Sequence, residues 1–245
     1  MMGAEAKNAV CTAVVLAAGR GTRMGISQAK QYLEIGGKPV LAYALEAFQQ
    51  SPAIDGIVLV TDRDHMEYCR TEIVEPYGIR KVSVYAEGGR ERYESVWNAL
   101  KAIAPAPDRQ YVFIHDGARP FVTPEIIGRA YKAVQKWKAC VVGMPVKDTI
   151  KVTDADGDIV SSPDRRLVWM AQTPQVFELE LIREAMRRQL MEDCSRITDD
   201  AMVVERQMGV RVHMVEGSYE NIKITTPEDL DIAEVFAKQQ RTGRF

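Results

Sequence analysis

The chain of 245 residues contains 46% hydrophobic and 27% charged residues, which is the composition of a folded globular protein and argues against intrinsic disorder. Lys and Arg number 32 and Asp and Glu number 34, so the formal net charge is −2, which disfavours a general nucleic-acid-binding protein. The four cysteines lie far apart and form no C-x-x-C pair, which disfavours a zinc site and is typical of reduced thiols in a cytoplasmic protein.

Membrane segments are not expected either. No apolar stretch approaches the roughly 18 residues that a spanning helix needs. Residues 10–18 have the character of a short signal-peptide core, but they lead directly into a segment rich in Gly and Arg without a cleavage context. We therefore expect a buried first strand there, no contact with membranes and a cytoplasmic location.

Short apolar runs alternate with helical patterns over the first 145 residues. We predict strands at 10–16, 56–61, 81–86, 111–115 and 139–144. We predict helices at 40–48, 64–75 and 92–104, and a fourth that begins at Thr123-Pro124-Glu125, where an N-cap residue, a proline and an acid follow one another. This alternation predicts an α/β fold with Rossmann-like layers, in which helices cover both faces of a mostly parallel sheet.

The regular alternation ends after Pro145. Two strand-like segments at 150–152 and 158–160 flank a turn-rich pentapeptide, which predicts a β-hairpin. This insertion, at about 148–170, is either a surface hairpin or an arm that reaches another subunit, and the residues alone leave both open. Later elements are predicted at 168–177 (extended), 179–190 and 198–208 (helices), 210–215 (strand) and after Thr226 (a last helix). No repeat or linker marks a second domain, so we expect one domain over 1–245.

A long glycine-rich loop follows the first strand. Ligands of parallel sheets bind beyond the carboxyl ends of the strands, and here the sequence from Leu16 is LAAGRGTRMG. A P-loop and a dinucleotide fingerprint would each need a glycine where Met24 stands, so neither motif is present. About twenty residues separate this strand from the next helix, which is too long for an ordinary connection. We predict that Arg20, Arg23 and Lys30 wrap a phosphate group; solvated surface cations are the alternative.

Three further strand ends carry candidate binding residues. Gly88 and Gly89 with Ser95 are able to contact the flat edge of a base, although a simple turn with a capping serine explains them equally well. Asp116 is well placed to hold Mg²⁺ opposite a triphosphate, or alternatively to cap a turn or pair with its neighbour Arg119. Lys223 stands between two isoleucines, and its side chain projects either into the cleft or into water.

Together these segments closely resemble the 2-C-methyl-D-erythritol 4-phosphate cytidylyltransferases of the non-mevalonate isoprenoid pathway. Any one segment is a weak signal, but the match covers nearly the whole chain in the right order. The matching segments are Leu16-Ala17-Ala18-Gly19 with Arg23, Lys30-Gln31-Tyr32, and those at 115–120, 145–149, 172–175, 197–200 and 221–223.

The resemblance implies a reaction and a set of site residues. CMP would pass from CTP to a polyol phosphate, 2-C-methyl-D-erythritol 4-phosphate, by in-line attack on the α-phosphorus with release of pyrophosphate. Arg23 and Lys30 would be catalytic, and Asp116 would ligate Mg²⁺. Nucleotide contacts would come from Ala17, Ala18, Gly19, Gly21, Gly89 and Ser95. The acceptor would be bound by Thr149, Arg165, Thr173, Thr198, Lys223 and Arg119. A homodimer through the arm is implied, with Arg165 and Thr149 serving the site of the other subunit.

Other functions remain as alternatives. A ribitol 5-phosphate cytidylyltransferase shares the fold and the loop, and a non-catalytic nucleotide sensor would retain the nucleotide cleft. A sensor would not require Arg23, Lys30 and Lys223 together, and a dehydrogenase is disfavoured by the misplaced third glycine. Because a phosphate monoester is already anionic at pH 7, the expected reaction needs no general base.

Overall fold

Strands and helices alternate along most of the chain. The structure, a computed structural model, describes residues 9–19 and 29–242. Its strands are β1 (Ala9–Leu16), β2 (Glu34–Ile35), β3 (Lys38–Pro39), β4 (Gly56–Thr61), β5 (Val82–Glu87), β6 (Arg109–Asp116), β7 (Ala139–Pro145), β8 (Val152–Thr153), β9 (Ile159–Ser161), β10 (Trp169–Glu178) and β11 (His213–Glu216). Its helices are α1 (Val40–Gln50), α2 (Met66–Tyr68), α3 (Arg92–Ala102), α4 (Pro124–Trp137), α5 (Leu179–Gln189), α6 (Asp200–Met208) and α7 (Pro227–Arg241). Within the described ranges, none of these helices has the length and hydropathy needed to cross a membrane.

Seven of the strands form the central sheet, in the order β11-β7-β10-β6-β1-β4-β5. Neighbouring strands are parallel except for β10, which runs antiparallel to both β6 and β7. The expected α/β fold with a mostly parallel sheet is therefore confirmed. Because parallel strands end at the same edge, the segments that follow β1, β5 and β6 meet there.

The core lies on both faces of this sheet. In β1, Cys11, Ala13 and Val15 point to one face, where α1 and α4 cover them, and Val14 points to the other face, toward α3, α5 and α6. Burial on both faces explains why the strands are continuous apolar runs rather than alternating ones. The connecting loops at the carboxyl edge are thus carried by a closely packed frame.

Local capping shifts several predicted boundaries. The helix predicted at 64–75 is instead a 3₁₀ turn, the short α2 and a π-helical turn, and it starts where Asp62 accepts a hydrogen bond from the His65 N–H at 3.1 Å. The helix predicted from 198 begins at 200, because Asp199 is its N-cap and accepts from the Met202 N–H at 2.9 Å. The strand predicted from 210 begins at His213.

A third apolar cluster fixes the segment that carries Lys223. It joins α7 to β2 and to the loop after β6 through Ile35, Val40, Phe121, Ile224, Ala233 and Ala237. The Ile224 N–H also donates to the Ala118 carbonyl at 2.9 Å. These contacts hold residue 223 beside the carboxyl end of β6.

The predicted hairpin is formed by β8 and β9, which pair antiparallel. Its turn is closed by Asp154, whose carboxylate accepts from the N–H groups of Asp156 and Asp158, and by Gly157, which has φ +92°. Its apolar side chains are exposed, among them Ile159 at 63% and the nearby Leu167 at 82%.

Candidate active site

A cleft of about 600 Å³ lies at the carboxyl edge of the sheet. Residues at the ends of β1 and β6 and in the segments that follow β1, β5 and β6 line it, together with Lys223 from the segment before α7. They include Ala18, Gly19, Lys30, Gly89, Ser95, Asp116 and Lys223. The structure thus brings together candidates that are up to about two hundred residues apart in sequence.

The backbone after β1 is held so that two of its N–H groups face no protein acceptor. The Ala17 N–H donates to the Val60 carbonyl at 2.6 Å, and the Ala17 carbonyl accepts from Gln31 Nε2 at 2.5 Å. Gln31 also donates to the Gly19 carbonyl at 3.0 Å. In the described ranges no hydrogen bond uses the N–H groups of Ala18 and Gly19. These two amides, rather than that of Ala17, are available for an anion.

Three other residues of this loop from the sequence analysis, Arg20, Gly21 and Arg23, lie outside the described residues. Lys30 is described. It opens a 3₁₀ turn, Lys30–Tyr32, and lines the cleft.

The loop between β5 and α3 forms the opposite wall. The Gly89 N–H donates to Ser95 Oγ at 2.9 Å, and that hydroxyl donates to the Glu91 carbonyl at 3.2 Å. Ser95 therefore caps this turn as well as lining the cleft. A Cβ at Gly88 would lie 2.3 Å from the Cβ of Ala18, so only glycine allows these two loops to approach so closely.

Asp116 is surrounded by positive side chains. Its Oδ2 lies 2.7 Å from Lys223 Nζ and 3.9 Å from Arg119 Nε, and its Oδ1 lies 3.4 Å from Arg92 Nε. Burial alone would raise the pKa of Asp116, but the charges of Arg92, Lys223 and Arg119 outweigh it and hold the pKa well below its usual range. Lys223 thus projects into the cleft, where its side chain is one-third exposed.

His115 and Thr173 form a buried hydrogen-bonded pair behind Asp116. His115 Nε2 lies 3.1 Å from the Arg119 carbonyl and so carries the proton, which makes Nδ1 the acceptor for the Thr173 hydroxyl at 3.0 Å. The same hydroxyl accepts from the Asp116 N–H at 3.1 Å. Burial lowers the pKa of His115 to about 4, so the ring is neutral at pH 7. The Thr173 hydroxyl is thus committed to the protein on both sides.

Arg92 was not singled out by sequence reasoning. It is the first residue of α3, a position where an arginine is usually solvated. Its Nη2 lies 2.7 Å from Oδ2 of Asp200, whose side chain is 1% exposed. Burial lowers the pKa of Arg92, but the carboxylates of Asp200 and Asp116 more than offset this and raise it above its usual value. No short-range sequence signal connects residues 92 and 200.

Of the six predicted acceptor-binding residues, Lys223 lines the cleft, Arg119 and Thr173 contact Asp116 without lining it, and the other three lie away from it. Thr198 lines a neighbouring cavity of about 470 Å³, which Arg92 also borders. Thr149 and Arg165 are exposed and belong to the insertion, where the Arg165 guanidinium donates to the Lys147 carbonyl at 3.1 Å. Neither Thr149 nor Arg165 is among the described residues that line these two cavities.

The site has unsatisfied polar groups. Among the described residues, the buried side-chain atoms without a hydrogen-bond partner are Arg119 Nε, Asp200 Oδ1 and Asn221 Oδ1. All three residues belong to the network around Asp116, since the Arg119 guanidinium also donates to the Asn221 carbonyl at 2.8 Å. Buried polar groups are normally paired, so these three atoms mark the network around Asp116 as the part of the described structure whose hydrogen bonding is incomplete.

A resident metal ion fits this donor set poorly. The described residues contain no group of three His, Cys, Asp or Glu side chains that could hold a metal. Asp116 and Glu91 are the carboxylates among the described residues that line the cleft, and one oxygen of Asp116 already accepts from Lys223. Hard divalent cations prefer several oxygen ligands, so the network suits anionic ligands better than a bare cation.

Comparison with known proteins gives one consistent result. The family model of 2-C-methyl-D-erythritol 4-phosphate cytidylyltransferase (IspD) matches residues 11–239. The protein of that name from Caldanaerobacter subterraneus subsp. tengcongensis is 50% identical over 228 residues, which cover 93% of this chain and 99% of the relative. The one from Lachnospira eligens is 47% identical with the same coverage.

Solved structures agree with the sequence relatives. The 4-diphosphocytidyl-2C-methyl-D-erythritol synthase from Anaerococcus prevotii superposes with a TM-score of 0.83 at 32% identity and covers 94% of this chain and 97% of its own. The 2-C-methyl-D-erythritol 4-phosphate cytidylyltransferase from Thermus thermophilus has a TM-score of 0.71 at 30% identity, with coverage of 92% and 98%.

Proposed function

The chain belongs to the 2-C-methyl-D-erythritol 4-phosphate cytidylyltransferase family, and we propose that it transfers CMP from CTP to 2-C-methyl-D-erythritol 4-phosphate and releases pyrophosphate. The observation that carries this proposal is the group of cations around Asp116, at the end of a cleft whose other wall offers the amides of Ala18 and Gly19. A reaction between two phosphate-bearing substrates needs such an arrangement, because it brings two anions together.

The nucleotide occupies the half of the cleft between the β1 loop and the β5 loop. The N–H groups of Ala18 and Gly19 donate to phosphate oxygens, since backbone amides near a glycine approach an anion without obstruction. Gly89 and Ser95 border the same space and contact the cytosine. The Ser95 hydroxyl holds the turn with its proton and one lone pair, so its second lone pair is able to accept a hydrogen bond from the cytosine.

The acceptor phosphate binds at the other end of the cleft. Lys223 and Arg119 supply its positive partners, and the unpartnered Nε of Arg119 is one of the donors that a phosphate oxygen completes. Three cations and two carboxylates meet here, so the network carries one positive charge in excess before the substrate binds. That excess favours a dianion over a neutral polyol.

The chemical step is an in-line attack. A phosphate oxygen of the acceptor forms a bond to the α-phosphorus of CTP, the bond from that phosphorus to the bridging oxygen breaks, and pyrophosphate carries away the electron pair. The attacking oxygen is already ionised, so no side chain has to remove a proton. His115 is unsuitable as a base in any case, because both of its ring nitrogens are engaged within the core.

Positive side chains lower the barrier. Charge builds on the α-phosphoryl group and on the leaving pyrophosphate, and fixed cations at these places stabilise the transition state. Lys30 lines the cleft on the nucleotide side and supplies one such charge. Arg23 is assigned the same role from the family resemblance.

Magnesium is proposed as part of the nucleotide substrate. The phosphate oxygens of a triphosphate supply the several hard ligands that the protein does not gather in its described part. Asp116 as a direct ligand stays a prediction, and the hydrogen bond from Lys223 competes for one of its oxygens.

A homodimer through the insertion is also proposed. Exposed apolar side chains on β8, β9 and the segment that follows, including Ile159, Val160 and Leu167, favour burial against a second copy. In such a dimer, Thr149 and Arg165 would serve the site of the other subunit, which accounts for their distance from the cleft of their own chain.

The experiment is a pyrophosphate-release assay with the purified protein, CTP and magnesium. We expect release that depends on added 2-C-methyl-D-erythritol 4-phosphate, with ribitol 5-phosphate and the other nucleoside triphosphates as matched controls. Faster turnover of ribitol 5-phosphate would change the assigned acceptor. Tight CTP binding without any acceptor-dependent release would indicate a sensor and would contradict the proposal.

A further inference from the structure

One guanidinium joins the two halves of the site. The Arg92 side chain contacts Asp116 through Nε and Asp200 through Nη2, at 3.4 Å and 2.7 Å. Both carboxylates are nearly buried, at 11% and 1% exposure. Arg92 also borders both the cleft and the neighbouring cavity that contains Thr198. It therefore lies between the cleft and the neighbouring cavity, next to the carboxylate that pairs with Lys223.

The backbone at both ends of this bridge is fixed. Arg92 follows directly after Glu91, which forms a reciprocal capping box with Glu94 at the start of α3. At the other end, the N–H groups of Asp200 and Ala201 both donate to the side-chain carbonyl of Gln175, at 3.1 and 3.0 Å. Because neither helix start is free to shift, the guanidinium holds the Oδ1 side of Asp116 in one place.

The contacts of Asp116 are divided between its two oxygens. Oδ1 faces Arg92, whereas Oδ2 faces Lys223 and Arg119. Under the proposed function, the acceptor phosphate must bind the last two cations, so Asp116 and the substrate compete for them. A guanidinium on Oδ1 neutralises part of the carboxylate charge and weakens that competition.

We propose that Arg92 is a positioning residue, which holds Asp116 toward Asp200 and thereby keeps Lys223 and Arg119 available for the acceptor phosphate. This inference rests on the proposed function. It deepens that function by assigning recognition of a phosphomonoester acceptor to a residue that does not itself need to touch the acceptor.

The test compares steady-state constants of Arg92→Gln and Arg92→Lys with those of the wild type. We expect Arg92→Gln to raise the KM of the acceptor about tenfold or more, with the KM of CTP changed less than about threefold, the size of effect that one charged contact produces. Arg92→Lys retains the charge, but a single ammonium cannot span both carboxylates, so its acceptor KM should be intermediate. If Arg92 had only a structural role, its replacement would raise the KM of CTP and the KM of the acceptor to a similar extent.

Two further variants serve as controls. Arg80→Gln removes the same charge from an exposed side chain that lines neither cavity and contacts neither carboxylate in the described ranges, and we expect its acceptor KM to stay within about twofold of the wild type. Asp200→Asn removes the outer anchor of Arg92 and should raise the acceptor KM too. Combined with Arg92→Gln, it should add little, because the two residues act as one unit.

The outcomes separate the two proposals. Absence of acceptor-dependent turnover in the wild type would overturn the proposed function and this inference with it. Turnover in the wild type, with an acceptor KM of Arg92→Gln within twofold of it or with both KM values raised equally, would overturn this inference alone. If Arg92→Gln fails to fold by circular dichroism, the acceptor KM of Arg92→Lys compared with that of Arg80→Gln decides the question.

Discussion

Replacing Asp116 by asparagine should destabilise the protein through charge rather than shape. The side chains are nearly isosteric, so the variant retains the packing but removes the carboxylate that balances three cations. Arg92 retains Asp200 as a partner. Lys223 keeps a side-chain exposure of 33%, which allows water to solvate its ammonium group. Arg119, at 12%, is the cation that is left buried without a counterion.

The expected loss follows from this difference in burial. Removing one partner of a buried ion pair costs about 3–5 kcal/mol, and the partial exposure of Lys223 places Asp116→Asn near the lower value, about 3 kcal/mol. Unfolding entropies are about 2.1 cal/mol/K per residue, so for a chain of this length the loss corresponds to a midpoint about 6 °C lower. A charge removed from an exposed loop, as in Asp108→Asn, should change the stability by less than about 0.5 kcal/mol.

Thermal unfolding at pH 7 measures the difference, with Asp108→Asn as the control. The pKa of Asp116 is lower in the folded state than in the unfolded chain. Its stabilisation is therefore fully present above the unfolded value of about 3.9 and is lost as the pH falls toward the folded value. The difference in unfolding midpoint between the wild type and Asp116→Asn should thus be constant from neutral pH to about pH 5 and become smaller below about pH 4. A midpoint within 1 °C of the Asp108→Asn control, or a difference that becomes larger in acid, would refute the reasoning.

Three further substitutions test separate parts of the site. Lys30→Ala should lower kcat about 100-fold with an unchanged circular dichroism spectrum, and turnover near the wild-type rate would remove Lys30 from the mechanism. Thr173→Val should lower the free energy of unfolding by about 1–3 kcal/mol in a denaturant titration. Thr173→Ser retains both hydrogen bonds of the hydroxyl and should be more stable than Thr173→Val. Equal stability of the two variants would contradict these hydrogen bonds. Gly88→Ala puts a Cβ 2.3 Å from the Cβ of Ala18 and should raise the KM of CTP severalfold. Gly128→Ala is the control, because a Cβ there would meet no neighbouring atom within 4 Å. An unchanged KM of CTP in Gly88→Ala would count against the contact.

Alternation of strands and helices was sufficient to predict the parallel frame and the edge at which ligands bind. The reason is that both signals are local. A buried parallel strand is a short apolar run, and a helix start such as Thr123-Pro124-Glu125 is determined by its own residues, with Thr123 accepting from the Ile126 N–H at 3.4 Å. Asp116 was found because it stands at the end of a strand, and Lys223 because it interrupts an apolar run in the segment between the last strand and the last helix.

Contacts between distant segments could not be predicted in this way. The Arg92–Asp200 pair joins two helix starts that are separated by more than a hundred residues, and either residue alone is typical of a solvated first turn. Likewise, no local pattern indicated that the Thr173 hydroxyl lies between His115 and the Asp116 amide; its binding of the acceptor stays a prediction. Only the antiparallel pairing of β10 with β6 brings that threonine there.

The carboxylate among the cations explains how such a site exists before its substrates arrive. A cluster of Arg92, Arg119 and Lys223 without Asp116 would repel itself and lose hydration at the same time. With Asp116 and Asp200 present, the network retains one positive charge in excess, which favours a dianion. Under the proposed function, the acceptor phosphate would pair with cations that are already in position, so little reorganisation would be needed when it binds. Asp116 would therefore weaken the attraction between the site and the acceptor phosphate, but the same carboxylate holds the three cations together beside the cleft.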